Sequence, residues 1–432
     1  MYRNSLAEMI YDNVAPNHLR DTKYLQAYLT SENKEPIPLA LGETWKRVPD
    51  GLINKLKEAA SFESGYQISM YGLPSFRNLL KDYIGRSERI AGDNRLETAV
   101  TWNGTRSAMF DFGRYLLKKQ KDQKKPVFIS TDPGWDYEGV FCPLGYEIKK
   151  IPLSPLNSFQ PSLEDFKTAI EDIKKHQGKY LSFIVINAQH NPTGNNWSEV
   201  LVEGIIQLAA IHKCGLLIDN AYYGLTPDSS SKTSALEIVN RNWSIIESAK
   251  INNWIFATRS LGKQFHCNGW GIGAIMASPP ALDIIVNEYR AVHSYNYNAL
   301  MQKSMEKWMK SEESTRFLTK LHCESDRKNN YINDFFKTKL NYPESSYHIG
   351  VYSPYLLFEV PEKYHNEADS INTYIKELFY KTGVLVTDCW ATPRKSDLKG
   401  KSLKFVRMYT GVSEDILHEA LDRLRQNEFS FK

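Results

Sequence analysis

Between about residues 97 and 277 short apolar runs alternate with amphipathic ones. The short runs are 97–102, 126–131, 181–187, 215–219, 254–257 and 273–277, and 107–117 and 200–212 carry the helical spacing. Strands buried on both faces read as continuous apolar runs, and such runs alternating with helices predict βαβ units and a largely parallel sheet. Upstream, 51–84 is helical in pattern, interrupted by turn-rich residues 64–72. Residues 1–50 are polar apart from 37–42, which predicts a short helix, a linker and an extended segment. Residues 281–340 predict long helices. From 355 strands return at 355–360, 384–386 and 403–408, with helices near 367–382 and 414–426. The expected architecture is α/β, with a mostly parallel large domain over 51–320. A smaller α+β domain over 321–432 is joined by the N-terminal segment 1–50.

Composition narrows the function. At 432 residues, 42% of them apolar, the chain is long enough for one large and one small domain. The 54 basic and 50 acidic residues leave a net charge of +4, interspersed along the chain. The one basic run, 118–125, lies between an apolar helix and an apolar strand and reads as a solvated loop, not a nucleic-acid surface. Cys142, Cys214, Cys267, Cys323 and Cys389 are odd in number, widely spaced and without a CxxC pair. They suit neither a disulfide framework nor a zinc site, and no metal is expected. The opening MYRNSLAEMIYDN lacks the apolar stretch of a secretory signal, and no window approaches the ~20 apolar residues of a membrane span. A cytoplasmic protein without membrane or nucleic-acid partners is expected.

The unusual residues fall where the strands end, which is where ligands sit in such sheets. Lys263 follows 254–257 in ATRSLGKQF. Asp219 ends Leu216-Leu217-Ile218, Asn191 follows 184–186 in NAQHNPTG, and Trp135 follows 127–130 in TDPGW. The first strand ends in WNGTRSAMF, a glycine with two hydroxyl residues and an arginine at a helix start, where backbone N–H groups bind phosphate well. Each has an ordinary reading: a solvated lysine, a capping carboxylate, a turn amide. Together they are what an aldehyde cofactor with a phosphate tail and a protonatable ring needs.

NPTG after a strand, then DNAY, then SLGK, in this order, resembles the class I/II aminotransferase family of fold type I enzymes dependent on pyridoxal 5′-phosphate. The resemblance extends from Gly42 to the last helix and implies these roles. Lys263 is the Schiff-base lysine and the acid–base group at the substrate Cα. Asp219 pairs with the protonated ring nitrogen, and Tyr222 and Asn191 hydrogen-bond the ring oxygen. Trp135 stacks on the ring. Thr105, Arg106 and Ser260 hold the phosphate. Arg407, in VRMYTG, grips the substrate α-carboxylate, Gly42 lets backbone approach the substrate, and Tyr66 reaches a neighbouring subunit's phosphate in a homodimer. Trp135 and Asn191 also face the substrate.

One position departs from the family. An arginine eight residues after the lysine normally grips the phosphate, and here that residue is Gly271. Arg106 and Arg259 are the candidate replacements. Arg290 reads as a surface arginine, with a substrate's distal carboxylate as the alternative partner. His190 and His266 read as supporting hydrogen-bonding groups and Cys267 as inert packing. Tyr289, Tyr295 and Tyr297 read as core, a pocket wall or a dimer contact. Three functions fit: amino transfer from an L-amino acid to a 2-oxo acid; another pyridoxal-phosphate reaction such as a lyase, decarboxylase, or oxidase or cyclase of a basic amino acid; and a non-catalytic regulator. The first is expected from the family resemblance; the motifs themselves select a Cα carbanion and not its fate, and against the third no helix-turn-helix-like extension precedes residue 40 and no basic face is evident.

Overall fold

The apolar runs of the middle of the chain pair into one seven-stranded sheet. The structure, a computed structural model, describes residues 36–432 apart from 41, 44–46, 66–68, 91, 93, 121–123, 228–230, 293–297, 368 and 390–403. In chain order the described elements begin with β1 (Ile37–Pro38), α1 (Asp50–Lys57), α2 (Pro74–Ser87), β2 (Glu97–Val100), α3 (Gly104–Gln120) and β3 (Lys125–Asp132). Next come α4 (Tyr137–Phe141), β4 (Glu147–Pro152), α5 (Leu163–Lys174), β5 (Lys179–Ile186), α6 (Glu199–His212) and β6 (Gly215–Asp219). Then follow α7 (Ala235–Arg241), α8 (Trp243–Ser248), β7 (Ile255–Ser260), β8 (Gly273–Ala277) and α9 (Pro279–Ile284), which runs on into a π-helical turn, Ile285–Tyr289. The strand order is β2-β8-β7-β6-β5-β3-β4, and only β8 runs against its neighbours.

The chain divides by contacts into two units. The larger is 44–153 with 159–323; the smaller combines 154–158, 324–432 and the described part of 1–43. In the larger unit the middle strands are buried throughout, β6 and β8 along their whole length. Phe112 of α3 stacks on Phe256 at 4.9 Å and Phe128 stacks on Phe183 at 5.1 Å, filling one face of the sheet. On α6, Val202, Ile205, Ile206 and Ala209 are buried, and Ser198 caps its first turn by accepting from the Leu201 amide. Helix α5 starts at a capping box in which Ser162 and Asp165 satisfy each other's backbone N–H groups.

The remaining elements are α10 (Ala299–Met309), α11 (Glu312–Thr338), β9 (Tyr347–Ile349), β10 (Tyr355–Glu359), α12 (Ser370–Thr382), β11 (Val384–Leu385), β12 (Thr387–Asp388), β13 (Phe405–Tyr409) and α13 (Glu414–Gln426). In the smaller unit β12-β13-β10-β9 form an antiparallel sheet, and β1 pairs in parallel with β11. Of the extended segment expected at 37–42, Ile37–Pro38 form a strand of this unit. In the basic run, Lys118 pairs with Glu288 at 3.1 Å and both are exposed, as a solvated surface requires. No helix among the described residues is long and apolar enough to cross a membrane.

One expectation fails. Arg290 is not a surface residue; it is fully buried just after the π-helical turn, its guanidinium 5.7 Å from the Trp102 ring and its Nη1 3.4 Å from the Met70 sulfur. The wider π turn rotates the next side chain inward, where an aromatic face accepts the cation. Tyr289 is buried beside Tyr115, and Tyr295 and Tyr297 lie outside the described residues.

Candidate active site

Asp219 stands at the carboxyl end of β6, the middle strand of the sheet, with 4% of its surface exposed. Burial raises its pKa, and three donors plus one charge oppose that rise. The Tyr137 hydroxyl donates to Oδ2 at 2.7 Å, and the Ala221 amide and Thr258 hydroxyl donate to Oδ1 at 3.2 and 3.4 Å. The Lys263 ammonium acts on the same carboxylate through its charge. A carboxylate offers about four lone-pair positions. Three are used, so one remains for a single further donor.

Asn191 and Tyr222 meet beside this group. Both are buried, and the Asn191 Nδ2 donates to the Tyr222 hydroxyl at 3.3 Å. The Asn191 Oδ1 is buried without a partner, a state that costs about 1–3 kcal/mol unless a ligand or water relieves it. Asn187, which no motif singled out, ties the two strand ends together. Its Oδ1 accepts from the Asn191 amide at 2.8 Å and its Nδ2 donates to the Asp219 carbonyl at 2.6 Å.

Lys263 follows β7 and is half-buried, and Ser260 is the last residue of that strand. The chain then returns as β8, with Ser260 opposite Gly273, so residue 271 arrives beside the start of α3. The Gly271 carbonyl accepts from the Gly104 amide at 2.8 Å and from the Thr101 hydroxyl at 2.9 Å. Gly271 has φ +57°, and a Cβ there would lie 2.8 Å from the Gly104 nitrogen and 3.0 Å from the Asn103 carbonyl carbon. A side chain at position 271 would therefore run into the backbone at the start of α3.

Thr105 and Arg106 are the second and third residues of α3, whose first-turn N–H groups have no partner inside the helix. Thr105 is half-buried. Arg106 is exposed, its guanidinium 4.7 Å from the Trp135 ring and its Nη2 2.9 Å from Asp136 Oδ2. Trp135 meets Tyr137 edge to face at 5.0 Å. A connected line therefore runs from Asp219 through Tyr137 and Trp135 to Arg106. Tyr137, Thr258 and Asn187 carried no signal in the sequence, because their roles come from partners 82, 39 and 32 positions away.

Arg259 is used elsewhere. Successive strand residues point to opposite faces, so with Thr258 turned to Asp219, Arg259 faces the other way. There its Nη1 lies 3.5 Å from Glu88 and its guanidinium 4.7 Å from the Tyr223 ring, all of it buried. Burial raises the Glu88 pKa, opposed by Arg259, Asn220, Ser234 and Lys232. Arg259 is thus held in an internal ion cluster. His190 bridges the hydroxyls of Thr131 and Thr193 at 2.8 Å each and stacks on Trp197; His266 packs edge-on against Phe317, and Cys267 is buried. Among the described residues no His, Cys, Asp and Glu side chains gather as a metal site.

Two candidates belong to the smaller unit. Arg407 on β13 donates from Nη2 to the Ala40 carbonyl at 3.3 Å and lies over the Tyr355 ring at 5.1 Å, and its Nε is buried without a partner. Gly42 is half-buried two residues beyond Ala40. Tyr66 lies outside the described residues.

The larger unit's donor set suits pyridoxal phosphate: an amine at Lys263, one open acceptor position on Asp219 for a ring N–H, a polar pair at Asn191 and Tyr222, and a helix start for phosphate. The chain matches the family model for aminotransferase class I and II over residues 34–424. It is 22% identical to the LL-diaminopimelate aminotransferase of Halothermothrix orenii over 97% of this chain and 98% of that one, and 22% identical to an aspartate aminotransferase of Pyrococcus horikoshii over 92% and 91%. Among solved structures, a Thermus thermophilus aspartate aminotransferase mutant superposes with a TM-score of 0.73 at 18% identity, covering 96% of this chain and 98% of that one. BacF from Bacillus subtilis gives 0.74 at 17%, covering 97% and 99%. The chain belongs to the class I and II aminotransferases, and is a pyridoxal-phosphate-dependent enzyme of that type.

Proposed function

We propose that amino transfer from an L-amino acid to a 2-oxo acid is carried out by Lys263, Asp219, Asn191, Tyr222 and Trp135, with Thr105, Arg106 and Ser260 holding the cofactor phosphate. When bound, pyridoxal phosphate supplies an aldehyde for the amino group and a cationic ring that draws electrons from the substrate Cα. The half-buried Lys263 Nζ would take the Cα proton and hand it back on the cofactor side. Asp219 keeps the ring nitrogen protonated, because a buried carboxylate with an open acceptor position favours a cationic partner. Asn191 and Tyr222 would hydrogen-bond the ring oxygen, and Trp135 would cover one ring face.

With Arg259 committed to Glu88 and position 271 closed to side chains, Arg106 is the cation proposed for the phosphate. Arg407, with its unpartnered Nε, is proposed to pair with the substrate carboxylate and Gly42 to admit it. A cytoplasmic homodimer in which Tyr66 serves the neighbouring subunit completes the proposal, and its support is the family resemblance.

One observation carries this reading: buried Asp219 accepts hydrogen bonds from three donors that favour its charged form and has one acceptor position left. Borohydride reduction of the purified holoprotein followed by peptide mapping is expected to place the cofactor on Lys263. L-amino acids are expected to convert the unreduced cofactor to its amine form with release of 2-oxo acid. Cofactor fixed on any other lysine, or an unmodified Lys263, refutes the assignment.

A further inference from the structure

Tyr137 is not part of any motif, yet it is the nearest partner of the acid at the centre of the site. It opens α4, its side chain is 1% exposed, and its hydroxyl makes one described hydrogen bond, to Asp219 Oδ2 at 2.7 Å. The other two donors to Asp219 sit on the opposite oxygen and are longer, at 3.2 and 3.4 Å. A charge-assisted O–H···O⁻ bond of this length is the strong one of the three. Burial and the neighbouring carboxylate push the phenol well above its ordinary pKa, which favours its protonated, donating form.

We propose that Tyr137 is the positioning residue for Asp219: its hydroxyl takes one of the two acceptor positions of Oδ2, favours the charged form of the group, and turns the remaining acceptor position of that oxygen toward the cofactor ring nitrogen. This rests on Asp219 being the ring nitrogen's partner. The hydroxyl takes no part in the proton transfers; it acts through the carboxylate. Its edge-to-face contact with Trp135 gives it a second hold on the same ring, since the plate above the ring and the acid at its edge then share one support.

The test compares the affinities of pyridoxal phosphate and its 1-deaza analogue, in which a C–H replaces the ring nitrogen, for the purified chain. Tyr137→Phe is expected to weaken pyridoxal phosphate binding about tenfold, the scale of one lost hydrogen bond to a charged group, and to leave the deaza analogue within about twofold. A role limited to packing predicts equal losses for both. Equal losses, or none, overturn the proposal. Tyr137→His, which keeps a donor, is expected to retain the wild-type ratio of the two affinities, and it serves as the test if Tyr137→Phe does not fold; a His variant with the ratio lost also overturns the proposal. Asp219→Asn separates the two levels. If it is selective for the ring nitrogen while Tyr137→Phe is not, Tyr137 alone is misassigned. If it shows no selectivity, the assignment of Asp219 falls and the proposal with it.

Discussion

Restoring the family's arginine at position 271 is predicted to harm this enzyme. Gly271→Arg must hold a φ of +57°, which costs a side-chain-bearing residue about 1–2 kcal/mol. Its Cβ would meet the Gly104 nitrogen at 2.8 Å and the Asn103 carbonyl carbon at 3.0 Å, and these are backbone atoms at the helix start that cannot swing aside. Relief requires separating the two segments, which breaks the bonds from the Gly104 amide and the Thr101 hydroxyl to the Gly271 carbonyl, each worth about 0.5–1.5 kcal/mol. The sum is about 2–5 kcal/mol. With a specific unfolding entropy of ~2.1 cal/mol/K per residue, that lowers the melting temperature of the larger unit by roughly 4–9 °C. The same displacement moves the α3 start proposed to hold the phosphate, so affinity for pyridoxal phosphate should fall despite the added positive charge. Thermal melts of the apoprotein and absorbance titrations with the cofactor read both effects, and Gly271→Ala, which adds strain without charge, should lose a similar amount of stability. An arginine variant that melts with the wild type and binds the cofactor more tightly would refute the steric account.

Arg106→Ala should weaken pyridoxal phosphate about fivefold at low ionic strength and less at high salt, as for a half-exposed charge pair, while leaving binding of pyridoxal, which lacks the phosphate, unchanged. Equal losses for both ligands would remove Arg106 from the phosphate site. Glu88→Gln strips the Arg259 guanidinium of its only described ion-pair partner in a fully buried setting, which should cost about 3–5 kcal/mol in a denaturant or thermal melt; a change under ~1 kcal/mol would show that the cluster does not hold its ions as described. For Asp219, the folded pKa lies above the unfolded value of about 3.9, so folding favours the protonated form and this group's contribution to apoprotein stability falls as pH rises from ~4 through the raised value. Asp219→Asn removes that loss, so the stability of the variant relative to wild type should grow over the same rise in pH and then level off; a difference that is flat or shrinks with pH contradicts the sign.

The sheet was legible because its middle strands are apolar on both faces, and β6 and β8 read as strands from that alone. The edge strand β4 was not, since EIKKIP is neither a continuous apolar run nor an alternating one, and its Lys149 and Lys150 lie half-buried in ion pairs with Asp172 and Glu138. The site residues at strand ends were legible through order and spacing: Asn191, Asp219, Tyr222, Ser260 and Lys263 all follow apolar runs. What escaped was every role set by distant partners. Tyr137 is one more aromatic in a turn until the sheet brings it to Asp219, and Glu88 is one more charge at a helix end until Asn220, Ser234 and Arg259 enclose it. Arg290 was misread for the same reason, because the high exposure of arginines in general says nothing of an inward turn against Trp102.

The reversed direction of β8 has a consequence for how the catalytic loop can vary. Because β7 and β8 are hairpin neighbours, the twelve-residue link that bears Lys263 is stitched to the sheet at both rims, at Leu261 through the Ile272 carbonyl and again at Gly271 through the α3 start. A crossover helix could absorb a length change by sliding; this link has no slack. Adding or deleting one residue within it would shift either the amine or the phosphate cradle out of register, so the spacing between the lysine and the glycine is as constrained as their identities.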